Sequence, residues 1–151
     1  MCLVKLKRAT IIIRTEEPDF SSTPTVPCDW EKSVYGKFKE LVPHDSPAPL
    51  GKYVVTVNYN DSNFHNDVIT GRSITGVMHV LNKTPVDWYI NKKSAVETDA
   101  HGSENSSVLT CAKQILNLRI ALRHLGAPLR KVRHVFGENY SVLHSSMTPH
   151  G

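Results

Sequence analysis

Between Ser103 and Leu125 the apolar residues Val108, Cys111, Ala112, Ile115, Leu118, Leu122 and Leu125 recur at three- and four-residue steps, the spacing of one face of an α-helix. A stripe of that length is not stable in water, so the rest of the chain must supply a surface to cover it. Four β-type runs are available. Tyr53 to Tyr59 is rich in β-branched and aromatic residues and runs into the turn-prone Asn60-Asp61-Ser62-Asn63, and Ile74 to Leu81 and Val86 to Ile90 flank the hairpin-length Asn82-Lys83-Thr84-Pro85. Lys131 to Phe136 follows the helix, and Tyr140 to Ser146 reads as the start of a second, short helix. Ser103 reads as the N-cap of the long helix, and Gly126 and Pro128 as its stop. Strand, strand, strand, helix, strand, helix predicts an α/β domain. In it Val108, Ile115, Leu118 and Leu122 pack on a sheet formed by the strands near Val55, Val77, Trp88 and Val135. With apolar Val86 and Ile90 beside it, Trp88 is expected to be at least partly core.

The domain begins near Gly51, giving residues 51–151, behind an N-terminal arm of residues 1–50. Six of the nine prolines fall between Glu16 and Pro49, and proline removes a backbone donor and biases its predecessor toward extended geometry, so the arm is expected to be irregular. Trp30 to Leu41 is the one piece of it that reads as a helical turn or two. The three cysteines, Cys2, Cys28 and Cys111, are far apart and fit no disulfide or zinc spacing. The longest apolar run, Ile11-Ile12-Ile13, is far too short to span a bilayer, and the start of the chain lacks a secretory pattern, so an intracellular protein without a transmembrane segment is expected. A formal charge of +4 permits a nucleic-acid partner without demanding one.

Three acidic residues stand at element edges: Asp61 at the exit of the first strand, Glu104 in the expected first turn of the helix, and Glu138 after the fourth strand. Carboxylates from two strand ends and a helix packed across them can converge on hard divalent cations, because Mg²⁺ takes oxygen ligands. Caps and the helix dipole place acids at the same positions for structural reasons alone.

The blocks Gly71-Arg72-Ser73-Ile74-Thr75-Gly76, Thr84-Pro85-Val86-Asp87-Trp88-Tyr89, His101-Gly102-Ser103-Glu104, Leu122-Arg123-His124-Leu125-Gly126-Ala127-Pro128 and Phe136-Gly137-Glu138-Asn139 resemble the ribonuclease H region of copia-type retrotransposon polyproteins, most closely its diatom and algal members. The resemblance extends into the arm through Arg14 to Phe20, Asp29-Trp30, Ser33 to Gly36 and Pro47 to Lys52. It implies a ribonuclease H-like mixed sheet with flanking helices, incomplete at the C-terminus and preceded by the proline-rich arm. The implied activity is Mg²⁺-dependent cleavage of the RNA strand of RNA:DNA hybrids, with Asp61, Glu104 and Glu138 as catalytic metal ligands and a metal-activated water as the attacking group. Glu138 stands where the family has aspartate, His101 and Asn105 stand where it has aromatic residues, and the chain stops before the family's last strand and fourth acidic ligand. These departures imply weak or lost turnover, and the alternative is a non-catalytic structural or interaction subunit, with a protein partner covering an exposed sheet edge.

Other polar clusters have a simpler reading beside a functional one. Lys92-Lys93 and the group Arg119, Arg123, Arg130, Lys131 and Arg133 could grip phosphates or lie on solvated faces. His144 and His150 read as residues of an irregular terminus.

Overall fold

The computed structural model describes residues 12–23, 42–138 and Val142. Strands β1 (Val54–Asn63), β2 (Ile74–Leu81), β3 (Thr84–Lys92) and β4 (Leu129–Phe136) and the helix α1 (Ala100–His124) follow one another along the chain, with α1 between β3 and β4. The strands form one mixed sheet in the order β3-β2-β1-β4. The β1–β2 and β2–β3 pairs are antiparallel, and β4 lies parallel to β1. The expected α/β character and the single sheet through Val55, Val77, Trp88 and Val135 are therefore present.

Element boundaries differ from expectation at the end of β1 and at the start of α1. Asn60 to Asn63 form the last part of β1 instead of a loop, because each pairs with a residue of β2, from Asn60 opposite Val77 to Asn63 opposite Ile74. Ladder pairing there outweighs the turn preference of Asn, Asp and Ser. The helix starts before Ser103: Asp99 is the N-cap, its carboxylate accepting from the Gly102 N–H at 2.6 Å. Glu104 consequently sits in the second turn. Gly126 closes the helix in the left-handed region (φ 72°), its N–H reaching the Arg123 carbonyl at 2.9 Å.

The buried row of α1 is Ser103, Ser107, Cys111, Ile115 and Arg119. Of the four residues expected to pack on the sheet only Ile115 is buried, while Val108, Leu118 and Leu122 are half-buried. The reason lies in the surface opposite, where Thr56, Asn58, Ser62 and His79 are buried polar residues and need hydrogen-bonding neighbours. Arg119 donates to Thr56 Oγ1 at 3.4 Å and to the Arg130 carbonyl at 3.1 Å. The His79 ring lies between Asn58 Oδ1 (2.8 Å) and Gln114 Oε1 (3.2 Å), and Asn58 Nδ2 donates to the His134 carbonyl at 3.1 Å. A small apolar centre of Val77, Cys111 and Ile115, with Tyr89 against it, completes this layer.

The opposite face of the sheet carries Tyr59, Met78, Trp88, Ile90 and Phe136. Trp88 is 67% exposed and Ile90 75%; the expected core role of Trp88 fails because strand alternation turns it away from α1 on an outer strand. Part of this face is covered by residues 12–23, which contain no helix or strand. Phe20 lies over His134 and Phe136 with ring centroids 4.1 and 5.7 Å away. Asn82, at φ 55° in the β2–β3 turn, accepts the Val55 N–H and donates to the Arg14 carbonyl, each at 2.9 Å. No helix among the described residues is long and apolar enough to cross a membrane. The expected second helix at Tyr140 to Ser146, the piece from Trp30 to Leu41, Cys2, Cys28, His144 and His150 lie outside the described residues, apart from Val142.

Candidate functional site

Asp61 sits in the last half of β1 between Asn60 and Ser62. Its neighbour Ser62 points to the helix, meeting Ser103 Oγ at 2.5 Å, so alternation aims Asp61 at the open face. Opposite Asp61 on β2 is Gly76, around whose Cα a side chain would meet nothing, which leaves the carboxylate room. Glu138 follows Gly137 at the exit of β4. Asp61 and Glu138 line one cleft of about 500 Å³, walled by Tyr59, Met78, Trp88, Ile90 and Phe136, with the Tyr59 and Phe136 rings stacked at 5.3 Å.

Glu104 comes from the helix side. Its carboxyl is held above the ordinary glutamate range, first by burial and then by the negative charge of Asp61, with Glu138 adding to the effect. The Lys93 ammonium opposes that rise. Thus the three predicted residues reach the same end of the sheet, although only Asp61 and Glu138 share the cleft. Among the described residues no group of three or more His, Cys, Asp or Glu side chains closes into a metal-holding set.

The donor chemistry still suits a hard cation. Mg²⁺ is commonly held by one or two carboxylates and keeps several waters, and Asp61 and Glu138 offer that pair. Beside them the Asn60 carboxamide is buried with neither its oxygen nor its nitrogen hydrogen-bonded, and a Cβ on Gly137 would come within 3.3 Å of it. A buried amide without a partner is costly, and an ordered water in this position would satisfy it.

Sequence reasoning missed the supporting residues. Lys93, a phosphate-gripping candidate by sequence, donates to the carbonyl and hydroxyl oxygens of Ser103 and pairs with Glu97 at 3.8 Å. Ser103, the expected cap, instead bridges Lys93 to Ser62. Ser107 Oγ donates to the Asp61 carbonyl at 3.0 Å, fastening α1 to the strand that carries the carboxylate. The only available signal was the row of serines four residues apart. Of the other basic candidates, Arg119 is buried, Lys92 pairs with Asp67, and Arg130 pairs with Glu17 at 2.7 Å. The side chains of Lys131 and Arg133 are outside the description. Cys111 is no nucleophile, since burial pushes its thiol up to about 11. Comparison with protein-family models, with curated proteins and with solved structures finds no match to this chain.

Proposed function

We propose that the chain is a ribonuclease H-like domain of retroelement origin, intracellular in setting, whose ancestral reaction is Mg²⁺-dependent cleavage of the RNA strand in RNA:DNA hybrids and whose own turnover is weak or lost. The observation that supports this best is the convergence of three acids far apart in sequence. β1, α1 and β4 deliver Asp61, Glu104 and Glu138 to one end of a mixed sheet, near enough that Asp61 and Glu138 both act on the Glu104 carboxyl. In this reading Asp61 and Glu138 would hold a divalent cation, which when bound neutralises charge that develops on the phosphate under attack. Glu104 holds a proton at higher pH than an ordinary glutamate does. Tyr59, Trp88 and Phe136 offer flat apolar surface beside the carboxylates, suited to stacking on bases.

Weak turnover follows from Glu138. Its carboxyl is one methylene farther from the backbone than that of the aspartate which the resemblance implies, and Mg²⁺ requires near-octahedral geometry. Incubation of the chain with a labelled RNA:DNA hybrid and Mg²⁺ or Mn²⁺ tests the reading. Little cleavage is expected, more with Glu138→Asp and none with Asp61→Asn. An absence of both hybrid binding and cleavage in the parent chain and in Glu138→Asp would refute it.

The second reading, a non-catalytic subunit, draws on the position of β4 at the edge of the described sheet, where its outward backbone groups can pair with a strand of a partner protein. Assembly that survives Asp61→Asn unchanged would favour it.

A further inference from the structure

Alternation along β2 and β3 gives the sheet a second cavity on the side away from the carboxylate cleft. Gly76, Met78, Trp88 and Ile90 line the cleft, so Thr75 and Tyr89 belong to the face under α1. Val77 and its register partner Tyr89 confirm that side, because Val77 packs with Cys111 and Ile115 of α1 and Tyr89 lies against them. Beside the N-terminal half of α1, Thr75 and Tyr89 wall a hollow of about 260 Å³ together with Lys93, Glu97, Ser106 and Thr110. The two cavities share no lining residue.

Donors in this wall have hydrogen to spare. Thr75 is 3% exposed, and its Oγ1 is buried with no hydrogen-bond partner, a costly arrangement unless something entering the hollow satisfies it. Tyr89 Oη accepts from Asn91 Nδ2 at 2.9 Å, so its own hydrogen is uncommitted. A lysine ammonium has three hydrogens to donate. Those of Lys93 go to the Ser103 carbonyl and Ser103 Oγ, while Glu97 at 3.8 Å forms an ion pair beyond hydrogen-bond reach, so one remains. Glu97 adds a carboxylate acceptor to the same wall.

Charge decides the class of ligand. Lys93 is compensated by Glu97, and Lys92 at the rim by Asp67, so the wall holds donors and an acceptor without excess charge. A phosphate would meet Glu97 as a like charge. A neutral hydroxyl can accept from Lys93, Tyr89 or Thr75 and donate to Glu97.

We infer that the hollow under α1 is a binding site for a neutral, hydroxyl-rich ligand of monosaccharide size, with Lys93, Tyr89 and Thr75 donating to its oxygens and Glu97 accepting from its hydroxyls. A hydroxyl kept for a ligand adds nothing to the empty fold. Thr75→Val should therefore leave Tm unchanged or higher while weakening binding, the reverse of what a structural hydroxyl would do.

Titration of the isotope-labelled full chain with D-ribose, and separately with inorganic phosphate, tests this through backbone amide shifts near neutral pH. Saturable shifts in the millimolar range, centred on Thr75, Tyr89, Asn91 and Ser106, are expected with D-ribose and not with phosphate. Thr75→Val and Tyr89→Phe should each weaken D-ribose binding about fivefold and Glu97→Gln about tenfold, with Thr75→Ser close to the parent. The proposal is overturned by an absence of saturable shifts at these residues, by larger shifts with phosphate than with D-ribose, or by affinity unchanged in all three weakening variants. A Tm loss of several degrees in Thr75→Val would overturn it too, by marking that hydroxyl as part of the fold.

Discussion

The two faces of the sheet invert the usual division of labour. The face under α1 is covered and largely polar, with Thr56, Asn58, His79, Ser103, Ser107 and Arg119 all buried. On the face turned from α1 the apolar side chains of Trp88, Ile90, Tyr59 and Met78 are exposed. Burial of apolar area is non-directional, whereas a buried hydrogen bond fixes a partner and a distance. The covered face is thus built for registration of α1 against β1, which sets where Glu104 stands relative to Asp61. The open face is built for contact, and its cleft holds the other two acids.

This contrast predicts unequal costs of mutation. The largest is expected at Arg119, where replacement by alanine strands Thr56 and the Arg130 carbonyl and empties the volume of a fully buried side chain; about 3 kcal/mol or more of unfolding free energy should be lost in urea titrations. A loss below about 1 kcal/mol would show that the polar layer is not what holds the helix to the sheet. Asn82→Ala should follow at about 1–3 kcal/mol, because the buried Val55 N–H loses its acceptor. Trp88→Ala, by contrast, should stay within about 0.5 kcal/mol; a core-sized loss there would mean that the open face is closed in solution.

A finer difference concerns pH. The Glu104 carboxyl is held above the glutamate value of 4.5, chiefly by burial and next by Asp61. Between pH 4.5 and that raised value the folded chain binds more protons than the unfolded chain, so stability falls as pH rises through the window. Glu104→Gln should flatten this part of a Tm-versus-pH curve. An unchanged slope would remove Glu104 from the electrostatic group.

The two faces were not equally legible in the sequence. β-branched runs and turn residues located β2 to within its end residues, and three- and four-residue spacing located α1. Which stripe of α1 is buried was not readable from hydropathy, because the choice was made by the sheet: Ser62 and Thr56 call for Ser103 and Arg119, and the apolar Leu118 and Leu122 settle on the flank. Asn60 to Asn63 read as a loop because their local preference is for turns, while pairing with β2 is a non-local effect. Trp88 read as core because its neighbours are apolar, yet period-two alternation puts it with Ile90 on the open face. Asp61, Glu104 and Glu138 were identifiable as acids at element edges. Lys93 was visible only as half of a basic pair, since its role depends on a helix that crosses from ten residues onward.

The central claim is that Asp61 and Glu138 form one cation-binding place on the open face, with Glu104 sensing it from the helix side. Paramagnetic broadening of backbone amide signals by substoichiometric Mn²⁺ tests it most directly. The account predicts selective broadening of residues 60–63 and 136–138 with the facing Gly76, abolished in Asp61→Asn and weakened in Glu138→Gln. Uniform broadening, or broadening centred elsewhere and indifferent to Asp61→Asn, would contradict it.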